Sequence, residues 1–352
     1  MIEAASCATG HALSWTTVTS NTGGPSYAVR QLFARHLIGR GLELGALHSP
    51  YTAPLSAIET KYVDRWTPAE AKDLFPELGQ VEFTAADHIA DLNTERLSMI
   101  GDESQDFVIA SHVLEHVANP LALLVDMHRV LRPGGTAIIL LPDMRRMSDF
   151  RRQPTTVEHL VDEYERDVQE VDEEHLAEYA RNVMHYEGEG QERKEYLARL
   201  AQRSIHVHAW AEEDFFAVLR HAVEHLGCRF ELLELLQTEE YEKNIEFGYV
   251  LRRTAVDVTD AALAQRLVEQ KALMVEYRAS RGWTGTDGER RIRELEAALG
   301  AAERRNALLQ RRLSGYEAWL GPLRRSPVWP VARRARRELA KRRPGSKTSS
   351  VA

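Results

Sequence analysis

The chain has 352 residues, room for one large domain or two with a sizeable core, and its 43% hydrophobic and 28% charged residues are ordinary for a soluble protein. Only Cys7 and Cys228 are present, which excludes a disulfide framework; no apolar run approaches the ~20 residues of a membrane span, and the first residues lack a secretory signal, so a cytoplasmic protein is expected. The net charge of -8 is uneven: residues 321–352 hold ten Lys or Arg against one acid, Glu338, which leaves -17 for the rest, an acidic body that disfavours nucleic-acid phosphates.

Residues 1–25 are small, polar and weakly patterned and read as a flexible lead. Apolar residues at helical spacing (Val29, Leu32, Phe33, Leu37) predict a helix over 27–38, beside a first strand at 41–46. A second strand is expected at 61–64 and a third at 81–84. Residues 106–143 are the most informative stretch. They hold a buried strand at 107–110, a polar turn with His112 and His116, and an amphipathic helix at 121–131. A Pro133-Gly134-Gly135 break and a second buried strand at 137–141 follow, ending in Pro142-Asp143. Two apolar runs joined by a helix form a βαβ unit, which is right-handed and lays both strands parallel in one sheet. Ligands of such open sheets sit beyond the carboxyl ends of the strands. Ser111, His112 and Asp143 are therefore the first place to look for chemistry.

Residues 155–200 are helical and strongly charged. Thr155-Thr156-Val157-Glu158 fits a capping box, and ten acidic residues against Arg166 alone over 158–178 predict a solvated face or part of a lid. Strands at 230–236 and 245–251 read as an antiparallel pair closing the sheet. Past a polar boundary at Arg252-Arg253-Thr254, a helix at 257–279 and a linker at 282–288 lead to a heptad segment, 289–320. There Ile292, Leu299, Asn306, Leu313 and Leu320 take a positions, and Leu295, Ala302, Leu309 and Tyr316 take d. This alternation predicts a coiled coil and a homodimer, with Asn306 setting register. The tail sets Val328, Trp329, Pro330 and Val331 among arginines, a combination suited to an anionic membrane surface, which would place the protein at the inner face of the membrane.

The turn Val113-Leu114-Glu115-His116-Val117 and the helix exit Val130-Leu131-Arg132-Pro133-Gly134-Gly135 closely resemble the second half of the class I S-adenosylmethionine-dependent methyltransferase domain. The resemblance covers about residues 37–253, with a helical insertion at about 150–205. It implies an α/β fold: a Rossmann-like seven-stranded sheet with helices on both faces, here followed by the coiled coil. It also implies S-adenosyl-L-methionine as cofactor. Residues 41–48, GLELGALH, occupy the place of the family's first motif: Gly45 lets the backbone approach the cofactor, and Glu43 helps hold its methionine end. The family commonly has further glycines where this chain has Leu47 and a polar run to Pro50. That departure harms a dinucleotide reading, which needs a phosphate cradle, more than a methyl-donor reading.

By the same resemblance Asp64, at the end of the second strand, accepts both ribose hydroxyls, and Trp66 either covers the adenine or is simply packed. Asp87 and His88 contact the adenine amine, with Asp91 a competitor. Ala110 and Ser111 line the cofactor with backbone. Methyl transfer to a hydroxyl needs near-attack geometry and a base, and histidine suits that role. His112 is the first choice, and His116 reads as a buttress. His206 and His208, alternating as on a short strand, face one side and contact substrate. No acidic partner stands at ligand spacing from them, so no metal is expected.

A second resemblance, in GLELGALHSP, YVDRW, ASHVLEHV, LPDMRRMSDFRRQPTTVEHLVDEY and HVHAW with the SPVWPVARR tail, is to bacterial methyltransferases associated with glycosyltransferases and surface-glycan biosynthesis. It implies O-methylation of a glycan or nucleotide-sugar. A catalytically silent scaffold in a polysaccharide assembly complex and a methyltransferase for an unrelated small molecule are the alternatives.

Overall fold

The computed structural model describes residues 30, 33–51, 58–79, 81–238, 244–256 and 258–280. All lie in the first of two units into which the chain divides, Met1–Arg293 and Glu294–Ala352. The lead at 1–25, the heptad segment at 289–320 and the basic tail at 321–352 fall outside the described residues.

Seven strands form one sheet: β1 (Gly39–Leu44), β2 (Ile58–Asp64), β3 (His88–Ile89), β4 (Gln105–Ser111), β5 (Leu131–Pro142), β6 (Phe230–Leu236) and β7 (Glu246–Arg253). Their order is β3-β2-β1-β4-β5-β7-β6. β1 to β5 run parallel, and β7 is antiparallel to both β5 and β6. Side chains alternate across the central strands. Val108, Ala110, Ala137, Ile139 and Leu141 enter the main core with α2 (Pro120–Val130) and α6 (Glu212–His225). Phe107, Ile109, Ile138 and Leu140 enter a second core with Phe33, Ala34 and Leu37. Both faces are covered, which is why these strands read as unbroken apolar runs.

The third strand corrects the expectation at 81–84. Strand pairing with β2 occurs through His88 and Ile89 instead, Val63 facing His88 and Asp64 facing Ile89. The Thr84 amide donates to Leu47 O, so this stretch serves the turn after β1. The Pro-Gly-Gly break is absorbed into β5, where the register against β4 shifts and Gly134 adopts φ +87°. Between β2 and β3, α1 (Pro68–Leu74) carries a full capping box from Thr67 and Glu70.

The insertion consists of α3 (Val157–Glu165), α4 (Glu173–Asn182) and α5 (Gly190–Ala201). Leu176, Tyr179, Val183, Leu197 and Leu200 pack with Ile205 and Val207 into a small core of their own. The cap of α3 is Thr156, which accepts from the His159 amide, so the capping box expected from Thr155 and Glu158 does not form. Thr155 is taken up elsewhere: its amide donates to Ala209 O and its hydroxyl accepts from the Ala209 amide. Past the boundary expected at 252–254, α7 (Asp260–Ser280) returns to the domain, with Leu263, Ala264 and Leu267 buried in the main core. No described helix is long and apolar enough to cross a membrane.

Candidate active site

The carboxyl ends of β1, β2 and β4 bring the residues expected to hold a cofactor to one edge of the sheet. Glu43 is buried; its Oε1 accepts from the Tyr51 amide at 2.7 Å, while Oε2 has no hydrogen bond. Burial pushes its pKa up to about 7, against the opposing pull of the Tyr51 amide and the Arg30 charge. Two residues on, Gly45 takes φ +61°, and a Cβ there would stand 3.0 Å from Val113 Cγ2. Leu47, in the place of a family glycine, also takes a left-handed conformation (φ +45°). The turn thus keeps the backbone shape that glycine favours and carries the strain of a branched residue in it.

Asp64 closes the turn. Its Oδ2 accepts from the Leu47 amide at 3.1 Å, and Oδ1 from the amides of Arg65 and Trp66 at 2.7 and 3.4 Å. A carboxylate has about four acceptor positions, so one remains, on Oδ2. That suits a single hydroxyl rather than the pair expected from sequence. Burial raises the Asp64 pKa, and the three amides oppose it. Trp66 packs edge-on against Phe75. Asp87 clasps the Tyr62 amide at 2.9 Å, while Asp91 accepts from Asn93 and pairs with Arg65. Both aspartates are therefore used in shaping the loops around β3, and His88 sits within that strand. Ser111 ends β4.

His112 follows Ser111 in a left-handed conformation, φ +56°. Its Nε2 lies 2.9 Å from Glu246 Oε2 and its Nδ1 3.5 Å from Glu115 Oε1, both carboxylates being buried. Burial lowers its basicity, but these two contacts outweigh it and raise the pKa to about 9. At neutral pH His112 is a cation holding two carboxylates together. The role of general base expected for it does not suit that state. Glu246 also faces Arg30 at 3.8 Å, which extends the charged row toward Glu43.

His116 behaves in the opposite way. Burial, assisted by the neighbouring His206 and His112 and opposed by Glu115, lowers its pKa to about 4. Nδ1 lies 2.8 Å from Ile205 O, so as a neutral ring it donates there and leaves the lone pair on Nε2. This ring borders a cleft also lined by Arg65, Asn93, Arg203, Ser204 and Ile205.

His206 and His208 do not face one side. His206 meets Asp149 Oδ2 at 2.6 Å and the His116 ring edge, whereas His208 turns toward Glu163. Asp143 is fully buried and bound by Arg145 through its guanidinium and amide, a structural knot rather than an open group. Glu115, Glu246, Arg30 and Asp149 were not singled out from sequence. Glu115 and Asp149 stood inside stretches that carry the family resemblances; Glu246 and Arg30 had no local signal.

Residues 42–139, from β1 to β5, match the family model described as a methyltransferase domain. No curated protein matches the chain. Among solved structures, the CurJ carbon methyltransferase aligns with TM-score 0.34 and 14% identity over 62% of this chain, which spans half of that one. The 1,6-didemethyltoxoflavin-N1-methyltransferase of Burkholderia thailandensis, crystallised with 1,6-didemethyltoxoflavin and S-adenosylhomocysteine bound, aligns at 0.36 with 16% identity over 68% of this chain and 80% of that one. An S-adenosylmethionine-dependent methyltransferase from Mesorhizobium loti aligns at 0.38 with 14% identity over 66% of this chain and all of that one. The fold assignment rests on the strand order itself. The family match bears out the resemblance to a methyltransferase; the association with surface glycans has no counterpart in these comparisons.

Proposed function

We propose that this chain, which carries a methyltransferase domain over residues 42–139, methylates a hydroxyl of a glycan or nucleotide-sugar. Its cofactor is S-adenosyl-L-methionine, which supplies an electrophilic methyl group when bound. The observation that carries the reading is the coincidence of that domain with a fitting strand-end site. The buried, unbonded Glu43 Oε2 suits an ammonium donor, and the bare Gly45 backbone suits close approach. The remaining acceptor position of Asp64 suits a ribose hydroxyl.

The cleft beside His116 offers Arg65, Asn93, Arg203 and Ser204 as hydrogen-bonding partners for an acceptor hydroxyl, beside an apolar wall of Val171, Leu176 and Val207. His112 holds Glu115 and Glu246 in place, and the neutral His116 ring borders the cleft, its Nε2 3.8 Å from Glu115 Oε1. Homodimerisation and contact with an anionic membrane rest on residues 289–352 alone and are supported there by the heptads and the basic tail. One observation favours the silent-scaffold alternative: Leu47 stands, strained, where the family has glycine.

Calorimetric titration with S-adenosylmethionine and S-adenosylhomocysteine tests the cofactor, and no heat at millimolar ligand would sink the enzyme reading. Methyl-labelled donor offered with a panel of nucleotide-sugars and glycans tests the acceptor. Label appearing only in non-sugar acceptors would reject that part and leave the small-molecule reading.

A further inference from the structure

Four side chains from three separate segments aim their ligand atoms at one point on the insertion side of the molecule. His159 and Glu163 stand one turn apart on α3, His175 lies in the first turn of α4, and His208 comes from the segment that joins the insertion to α6. One ligand atom from each lies within 4.8 Å of all the others. Four of the separations are shorter still. His159 Nε2 is 3.1 Å from His175 Nε2 and 3.1 Å from Glu163 Oε1; Glu163 Oε1 is 3.4 Å from His175 Nε2, and Oε2 is 3.5 Å from His208 Nε2. A tetrahedral ion with bonds of about 2.0–2.1 Å sets its ligands about 3.3 Å apart. The three edges among His159 Nε2, His175 Nε2 and Glu163 Oε1 have those dimensions, and His208 Nε2 closes on the other oxygen of the same carboxylate.

Hydrogen bonding alone accounts poorly for this arrangement. Glu163 is 1% exposed, and neither of its oxygens nor His208 Nε2 has a hydrogen bond of proper geometry. Orphaned buried polar atoms are costly and call for an explanation. His175 supplies an independent sign. Its Nδ1 lies 2.9 Å from Asp172 Oδ1, which fixes the tautomer with the Nε2 lone pair facing the cluster. A carboxylate behind a histidine in this way is the usual outer support of a metal ligand.

We propose that His159, Glu163, His175 and His208 bind one divalent ion of the zinc class. Three imidazoles and one carboxylate suit zinc and disfavour calcium or magnesium, which take oxygen ligands. All four positions are filled by protein, so the ion is structural. It pins α3, which packs on the main core through Leu160, to α4 and the His208 segment, where α4 and α5 share only a small apolar core of their own. The sequence expectation of no metal rested on the missing acidic partner of His206 and His208; folding supplies Glu163, 45 residues away from His208 in the chain.

The test uses the full chain, stripped with chelator and titrated with zinc chloride and, separately, cobalt(II) chloride. One equivalent of each should bind per chain, the cobalt form should show the intense visible bands of a four-coordinate site, and stripping should lower the melting temperature. His159→Ala alters a half-exposed ligand and should fold while losing at least about 100-fold in affinity. Asp172→Ser keeps a capping hydroxyl for α4 and should weaken binding by about 10–100-fold, as loss of outer support does. Wild-type protein that binds no stoichiometric zinc overturns the proposal. So does zinc affinity unchanged in His159→Ala, including the case where His206→Ala abolishes it through the neighbouring Glu115, His116 and His206 group. Cofactor titration of the metal-free protein is a separate readout, so failure of this site and failure of the methyltransferase reading remain distinct.

Discussion

Glu246→Gln removes the nearer of the two carboxylates that hold His112. In the native fold the His112 pKa moves from 6.5 to about 9, which at about 1.36 kcal/mol per unit is about 3 kcal/mol of preference for the charged ring, to order of magnitude. Burial opposes the charge, and the contacts with Glu115 at 3.5 Å and Glu246 at 2.9 Å overcome it. An opposite charge at this range is worth roughly 1–3 units, so the substitution should lower the His112 midpoint by about one unit or more, with Glu115 holding the rest. The sign for stability follows. A folded pKa above the unfolded one gives a contribution fully present below pH 6.5 and lost as pH rises through about 9. Glu246→Gln should shrink that alkaline loss. Ring resonances of histidine-labelled protein, titrated from acid to alkaline pH, read the midpoint directly, and urea unfolding across the same range reads the linkage. A wild-type His112 that titrates near 6.5, or one unmoved by Glu246→Gln, would refute the clamped-cation assignment and restore His112 as a candidate base.

Asp64→Ala should weaken S-adenosylmethionine binding by about 1.5–3 kcal/mol, nearer the lower figure because three amides already occupy the carboxylate; unchanged calorimetric affinity in folded protein would remove Asp64 from the site. Gly45→Val should abolish measurable cofactor binding and destabilise the fold by at least about 1–2 kcal/mol through the left-handed conformation alone, whereas Leu47→Gly should raise stability by up to about 1 kcal/mol in chemical denaturation. His128, whose pKa is lowered to about 4 by burial and then by the Arg253 and Arg229 charges, should make the protein lose stability as pH falls from 6.5 toward 4, and His128→Gln should flatten that acid slope.

The sequence by itself determined what repeats over short distances. Period-two and unbroken apolar runs located β4 and β5, helical spacing located α2, and the turn chemistry around Gly45 and the 113–117 motif marked the strand ends at which a cofactor is expected. The final pair of strands was legible for the same reason. Register was not: Val81 and Phe83 alternate like a strand, yet β2 pairs with His88 and Ile89, because the Thr84 amide is spent on Leu47 O. Cap choice was not either, since Thr155 had a distant partner in Ala209 that no local pattern announces. The state of His112 was decided jointly by Glu115, three residues on, and by Glu246, a residue 134 positions away that the antiparallel return of β7 against β5 brings alongside. His159, Glu163, His175 and His208 read in the chain as ordinary charged-helix residues and an alternating pair. Local chemistry marks most strands, helices and turns, because the interactions that favour them span a few residues. Protonation and ligand geometry depend on which groups are buried beside one another, and only the packed sheet and its insertion bring these together.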